Sequence, residues 1–110
     1  MKIPNAAQAF VDRQKLLDYC LSRDHQRGRH KARVFESALG LTVDDVEQLR
    51  DALLVAVRSD DAVETGRDEF GQRYVVDFVM ATTFRRANIR SAWIIRVGED
   101  FPRLVSCFVR

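Results

Sequence analysis

The spacing of apolar residues divides the chain into a first half with helical periodicity and a second half with strand-like alternation. In the first half, apolar residues recur at intervals of three and four, which is typical of amphipathic helices. Asp12 and Thr42 are in position to act as N-caps, and Gly40 is in position to act as a C-cap. The pattern predicts three helices, over residues 13–21, 29–39 and 43–58.

After Ser59 the period changes to alternation. A weak first strand and three strong ones are predicted over residues 62–69, 73–80, 88–97 and 104–109. Connections as short as these require antiparallel neighbours. The chain is therefore expected to form one domain, residues 1–110, of the α+β class: three N-terminal helices packed on one face of a three- to four-stranded antiparallel meander sheet.

Composition agrees with one packed domain, because 46% of the 110 residues are hydrophobic and 31% are charged. No apolar run approaches the roughly 18 residues that span a bilayer, and the first residues lack the apolar stretch of a secretory signal. A cytoplasmic protein without a membrane partner is expected. Cys20 and Cys107 could pair with each other, but each lies in an apolar stretch, so two buried free thiols are expected. With His25 and His30 they match no zinc pattern, so no metal or cofactor is expected.

The net charge of +2 says less than the distribution of charge. Residues 23–33 carry five cations against Asp24, together with both histidines of the chain, and an acidic segment follows. This arrangement indicates either a site for an anion or two surface regions of opposite charge.

The predicted helix over residues 29–39 carries the most informative candidates. At 100° per residue, Lys31 falls close to the middle of the apolar face and His30 lies on its flank, beside Val34. Cations at a helix N-terminus oppose the macrodipole, and a bound phosphate would relieve that conflict. Alternatively, Lys31 extends past the core edge and His30 is an ordinary exposed residue. His25, in the preceding loop, is interpreted as a structural or incidental residue.

Hydroxyls in otherwise apolar strands are the second signal. Ser91 and Ser106 either satisfy the backbone or belong to a site. If Val97 pairs with Arg103, then Ser106 shares a face with Arg90, Arg96 and Arg110, whereas another register brings Ser91 to the Ser106 side. Asp77 either faces solvent or pairs with an arginine. Imidazole, ammonium, guanidinium and hydroxyl groups together suit RNA transesterification without a metal.

Several motifs resemble an uncharacterised bacterial domain family, and the likeness runs from Asn5 to the C-terminus. Its marks include GRHKARVF at residues 28–35, RSAWIIR at residues 90–96 and GEDFPRL at residues 98–104. More distantly, a basic helix start around a histidine, followed by a Ser-x-Trp strand and a terminal strand hydroxyl, resembles the barnase–EndoU–colicin–RelE group of ribonuclease toxins. Arg29 stands where that pattern has its first lysine, and Ser106 stands where threonine is more usual.

The distant resemblance implies a metal-independent endoribonuclease of bacterial toxin type, with RNA and a small cognate inhibitor as partners. Its catalytic residues would be His30, Lys31, Ser91 and Ser106. Arg29, Arg33 and Arg90 are the candidates for binding substrate. The alternative is a non-catalytic interaction module, an antitoxin, immunity or adaptor protein that docks an acidic partner on the basic helix. Whether the protein is an enzyme, and its oligomeric state, are left open by the sequence.

Overall fold

In a computed structural model, described for residues 1–83 and 85–110, the first half of the chain forms helices separated by turns. α1 spans only Arg13–Lys15 and continues directly into a π-helical turn, Leu16–Cys20. α2 spans Arg29–Leu39 and α3 spans Val46–Ser59. 3-10 turns at Ala6–Gln8 and Val43–Asp45 precede α1 and α3, respectively.

Capping residues mark the start of α1, the start of the 3-10 turn before α3, and the end of α2. The Asp12 carboxylate accepts a hydrogen bond from the Gln14 amide at 3.0 Å, which starts α1. Thr42 and Asp45 form a reciprocal capping box before α3. Gly40 ends α2 with a φ of 72°, a left-handed conformation that glycine adopts without steric cost. These local signals are all visible in the sequence.

The second half forms one sheet in the order β1-β2-β3-β4, with antiparallel neighbours. Its strands are β1 Ala62–Asp68, β2 Gly71–Ala81, β3 Arg86–Arg96 and β4 Arg103–Val109. The turn predicted over residues 81–86 contains Phe84, which lies outside the described residues.

The helices cover the inner face of the sheet. α3 packs against β2, α2 packs against β3 and β4, and the π-helical turn packs against β4. The sequence pattern predicts that Phe35, Leu49, Leu53 and Trp93 are largely buried. All four are fully buried at this interface, which confirms the prediction. No helix within the described part of the chain is both long and apolar enough to cross a membrane.

The predicted fold, three N-terminal helices on one face of a three- to four-stranded antiparallel meander sheet, needs correction at the edge of β4. The extended residues before α1 lie along the outer edge of β4, where Phe10 forms a parallel bridge with Arg103. The Phe10 amide donates to the Pro102 carbonyl at 2.8 Å, and the Leu104 amide donates to the Phe10 carbonyl at 3.0 Å. An edge strand has a row of unpaired N–H and C=O groups, and these two hydrogen bonds satisfy part of that row. A one-residue bridge has no periodic pattern, so the sequence did not indicate it.

The first predicted helix needs correction as well. Within the predicted helix over residues 13–21, only Arg13–Lys15 is α-helical. The residues Leu16–Cys20 form a wider π-helical turn. Leu16 and Cys20 are buried by this turn and Tyr19 is exposed. Apolar spacing predicts a helical face, but it does not distinguish an α-helical from a π-helical turn, which differ by one residue per hydrogen-bonded ring.

The register between β3 and β4 decides the positions of the two candidate serines. Ser91 lies opposite Cys107, and Ala92 lies opposite Ser106. A bulge follows, because Trp93 pairs with Leu104 and leaves Val105 without a partner. Arg103 consequently pairs with Ile94, not with Val97. Because successive residues of a strand face opposite sides, Ser91 and Ser106 lie on opposite faces of the sheet.

Candidate functional site

A basic cleft lies where the π-helical turn and the start of α2 meet β4. Its cavity measures about 240 Å³. The lining residues are Lys15, Tyr19, Cys20, Arg27, Gly28, Lys31, Val105 and Ser106. Three of these eight residues are cationic and none is anionic, so the cleft has the charge of an anion-binding site.

Gly28 and His25 bring α2 close to the π-helical turn. A Cβ atom at Gly28 would collide with the backbone carbonyl of Tyr19, so only glycine allows this approach. His25 Nδ1 accepts hydrogen bonds from the amides of Arg27 and Gly28 at 3.1 and 3.0 Å. The His25 ring also packs on Tyr19, with centroids 4.3 Å apart. These contacts support the interpretation of His25 as a structural residue.

Lys31 reaches from the first turn of α2 to the end of β4. The side chain is half-buried, and its Nζ stands 5.4 Å from the centre of the Phe108 ring. The ammonium group therefore lies over an aromatic face, a favourable contact for a cation. Lys15 approaches the cleft from the other side, where its Nζ lies 3.5 Å from the Leu104 carbonyl. Lys15 near the start of β4 and Lys31 near its end therefore border the same cleft.

His30 is exposed and lines a different, shallower pocket of about 260 Å³. That pocket is shared with Lys31, Val34, Phe108 and Val109. Lys31 lines both pockets, whereas Ser106 lines only the basic cleft. The structure therefore brings Lys31 together with each of His30 and Ser106 but does not place His30 and Ser106 in one pocket. Arg29 and Arg33 are exposed on the same helix.

Ser91 does not reach the cleft. Its side chain is fully buried, its Oγ donates to the Val76 carbonyl at 2.7 Å, and it accepts from Trp93 Nε1 at 2.8 Å. The hydroxyl therefore satisfies two buried polar groups of the core.

Arg90 lies on the outer face of the sheet, in a bidentate pair with Asp77 at 2.9 Å. Arg110 donates to the same carboxylate at 2.9 Å. The hydrogen bond from Arg90 lowers the pKa of Asp77, and the charge of Arg110 lowers it further. Of the two interpretations of Asp77, pairing with an arginine is therefore the observed one, and Arg90 is engaged in that pair.

Two thiols meet beside the cleft, and of the two only Cys20 lines it. Cys20 and Cys107 are both free and buried, as expected from their apolar surroundings. Their sulfurs are 3.6 Å apart, with Cys107 donating to Cys20. This hydrogen bond lowers the pKa of Cys20 to about 7, against the effect of burial, and the charges of Lys31 and Lys15 act in the same direction. In residues 1–83 and 85–110, no group of three or more His, Cys, Asp or Glu side chains is arranged to hold a metal ion.

A larger groove, of about 490 Å³, adjoins the basic cleft. Lys15 and Val105 line both spaces. Beyond them the groove continues over Arg73, Arg96 and Arg103, with Phe10 and Phe70 at its sides and Asp12 as its one anionic lining residue. The guanidinium of Arg103 stands 5.1 Å from the centre of the Phe10 ring. Cations and aromatic rings therefore extend from the cleft across β4, β3 and β2.

Lys15, Tyr19 and Arg27 belong to the cleft but were not singled out from the sequence. Arg27 lay in the basic segment that was recognised. Tyr19 lies directly before a buried cysteine, and Lys15 directly before a buried leucine, so both border the apolar face. Adjacency to a buried residue was therefore the one indication in the sequence that Lys15 and Tyr19 border the cleft. Many surface residues share that property, so it does not identify a site.

Comparison with solved structures finds a similar fold in a contact-dependent growth inhibition toxin–immunity protein complex from Klebsiella pneumoniae 342. The superposition has a TM-score of 0.68 at 12% sequence identity and covers 91% of this chain and 98% of that chain. At this identity the likeness concerns the fold. A search of curated proteins finds no match.

The sequence also matches a family model over nearly its whole length, from residue 2 to residue 110. The resemblance to an uncharacterised family, based on the motifs in α2, β3 and the loop before β4, is therefore confirmed. The chain belongs to the family described as Domain of unknown function (DUF6883).

Proposed function

We propose that this domain is a metal-independent endoribonuclease of bacterial toxin type that acts in the basic cleft between α2 and β4. One observation carries the proposal: Lys15, Arg27 and Lys31 line a single cavity of about 240 Å³ together with Ser106. Three cations around one cavity are suited to a phosphate whose negative charge grows during reaction.

The reaction is a transesterification. A base removes the proton from the ribose 2′-hydroxyl, the 2′-oxygen attacks the adjacent phosphorus, and the bond to the 5′-oxygen breaks as an acid protonates it. Lys31, held over Phe108 at the end of β4, stabilises the charge on the phosphorane oxygens. Ser106 offers a hydroxyl to the same phosphate, and His30 carries protons from the adjoining pocket.

The bound RNA strand extends beyond the cleft in both directions. Arg29 and Arg33 contact phosphates on the α2 side, where both are exposed. On the other side, the groove over Arg96 and Phe70 provides a cation and an aromatic ring for a single strand. Ser91 and Arg90 have no part in the proposed site, because core and surface contacts engage them.

A small protein inhibitor is proposed as the second partner. The similar solved chain belongs to a contact-dependent growth inhibition toxin–immunity protein complex. A cleft rich in cations is complementary to an acidic inhibitor, and burying it would exclude RNA.

The test is cleavage of a labelled RNA in excess EDTA by the parent protein and by the His30→Ala and Lys31→Ala variants. Loss of a general acid or base costs about 10²–10⁴ in rate, and a comparable loss is expected for each variant. Arg67→Ala is the matched control, since Arg67 lies on β1, at the opposite edge of the sheet. A thermal melt of each variant distinguishes a loss of catalysis from a loss of folding.

An inactive parent protein, or full activity in both Lys31→Ala and His30→Ala, would refute the ribonuclease proposal. Full activity in His30→Ala alone would remove His30 from the mechanism and leave the cleft residues in place.

A second candidate is the interaction module, and the surface beside the cleft favours it. Val34 is 44% exposed on α2 between basic side chains, next to the shallow pocket that contains His30. An exposed apolar residue ringed by cations suits an acidic protein partner. His30→Lys separates the two candidates, because lysine supplies positive charge for binding but removes the proton carrier that an enzyme needs.

A further inference from the structure

The two cysteines of the chain are separated by 87 positions but meet beside the basic cleft. Cys20 ends the π-helical turn, and Cys107 lies on β4. Both are free, and their sulfurs are 3.6 Å apart. A disulfide has a sulfur–sulfur distance of about 2.05 Å, so a small movement of one or both side chains would allow the bond to form.

We propose that Cys20 and Cys107 form a reversible dithiol–disulfide couple, oxidised by a hydroperoxide that enters through the basic cleft. The inference does not depend on the ribonuclease proposal, because it concerns only these thiols and their surroundings.

The oxidant reaches the pair of thiols at Cys20. Both thiols are shielded from bulk solvent, but Cys20 forms part of the lining of the cleft, whereas Cys107 does not. A molecule as small as hydrogen peroxide fits a cavity of about 240 Å³. Cys20 is therefore the thiol that meets the oxidant first.

The surroundings of Cys20 favour its thiolate, which is the reactive form of a cysteine. Cys107 donates a hydrogen bond to Cys20, and Lys31 of α2 and Lys15 of α1 contribute positive charge, so the pKa of Cys20 falls to about 7. Arg27 and Tyr19 are the other titratable groups that line this cavity. The same hydrogen bond and burial raise the pKa of Cys107, which therefore remains a thiol until Cys20 has reacted.

The reaction balances with one molecule of hydrogen peroxide, the simplest hydroperoxide. The Cys20 thiolate attacks one peroxide oxygen, the O–O bond breaks, and with a proton from solvent the products are a sulfenic acid and one water. The Cys107 sulfur then attacks the Cys20 sulfur, the S–O bond breaks, and the leaving hydroxide takes up the Cys107 proton to form a second water. The two thiols have then lost two electrons and two protons. A small-molecule dithiol reverses the change by thiol–disulfide exchange.

The bond would tie the π-helical turn to β4 and would remove the thiolate on which the charges of Lys15 and Lys31 act. The lining of the basic cleft is therefore different in the two redox states.

The experiment treats the reduced parent protein with hydrogen peroxide and then alkylates the remaining thiols. The expected result is the loss of both alkylation sites, a mass decrease of about 2 Da, a cross-linked peptide containing Cys20 and Cys107, and a protein that is still monomeric on a non-reducing gel. The rate of oxidation should rise as the pH increases through about 7, following the pKa of Cys20.

Single-cysteine variants determine the order of events. In Cys107→Ala, peroxide should convert Cys20 to a sulfenic acid that dimedone traps, and the pH midpoint should move up because the hydrogen bond from Cys107 is lost. In Cys20→Ala, Cys107 should react at least tenfold more slowly than Cys20 does in the parent protein. The proposal would be overturned if the parent protein keeps two alkylatable thiols, forms only intermolecular dimers, or is oxidised past sulfenic acid without a cross-link.

Discussion

Two serines of this chain illustrate how one residue type takes two roles. Ser91 and Ser106 lie on neighbouring strands, close to each other along the sheet, but on opposite faces. Ser91 is sealed in the core, where its hydroxyl links the Val76 carbonyl to the Trp93 indole. Ser106 lines the basic cleft. The face of the sheet, and not the residue type, decides which serine can meet a ligand.

Replacing Ser91 with alanine is expected to destabilise the protein by about 1–3 kcal/mol, because the buried Trp93 N–H would lose its acceptor. Urea unfolding measures this change. Ser106→Ala is the control and should change the free energy of unfolding by no more than about 0.5 kcal/mol. Equal stability of the Ser91→Ala variant and the parent would contradict the structural role assigned to Ser91.

At the scale of elements, the cleft depends on how α2 begins. The helix starts against the backbone of Tyr19, with no space for a side chain at Gly28. His25 holds the preceding turn through the amides of Arg27 and Gly28. The π-helical turn supplies the opposite wall. Three irregular features, a glycine contact, a histidine-capped turn and a π-helical turn, therefore shape the candidate site.

Gly28→Ala is expected to cost about 1–3 kcal/mol of stability, the usual penalty for forcing a methyl group into a packed space. The backbone of Gly28 has a φ of −89°, which alanine adopts freely, so the cost comes from the contact with Tyr19. Thermal unfolding measures the change. Ser37→Ala, at an exposed position of the same helix, is the control and should leave the melting temperature nearly unchanged. If the two variants melt together, the close approach does not matter for stability.

At the scale of the whole molecule, paired arginines and carboxylates line the solvent side of the sheet. Asp68 pairs with Arg73, Asp77 with both Arg90 and Arg110, and Glu99 with Arg103. The hydrogen bond from its first-named arginine lowers the pKa of each carboxyl group. Because these carboxylates take up protons in acid, the stability of the sheet depends on pH.

The sign of that coupling follows from the direction of the shifts. The pKa of Asp77 is lower in the folded protein than its ordinary value of 3.8, so the pair stabilises the fold above that pH. The stabilisation is lost as the pH falls through the folded pKa, when the carboxylate takes up a proton. Urea midpoints measured from neutral pH downward should therefore fall in acid, and they should fall less steeply in Asp77→Asn. A parallel decline in both proteins would contradict this account of the Asp77 pair.

Periodicity in the sequence was sufficient to predict much of the secondary structure. The apolar spacing identified the buried face of α3, including Leu49 and Leu53, and the alternation after Ser59 located the strands. The helical angle of Lys31 likewise placed it on the apolar face of α2, and its side chain is half-buried. These are local properties, because backbone geometry repeats every few residues and solvent distinguishes the two faces of each element.

Only the tertiary structure decided which distant residues meet. The bulge at Val105 determines the register that separates Ser91 from Ser106, and the parallel bridge of Phe10 closes the edge of β4. The contact between Cys20 and Cys107 likewise joins two elements at opposite ends of the chain. None of these contacts has a repeating pattern, because each depends on how whole elements pack. The sequence by itself therefore determined the faces of the elements, and the packing of those faces determined the cleft.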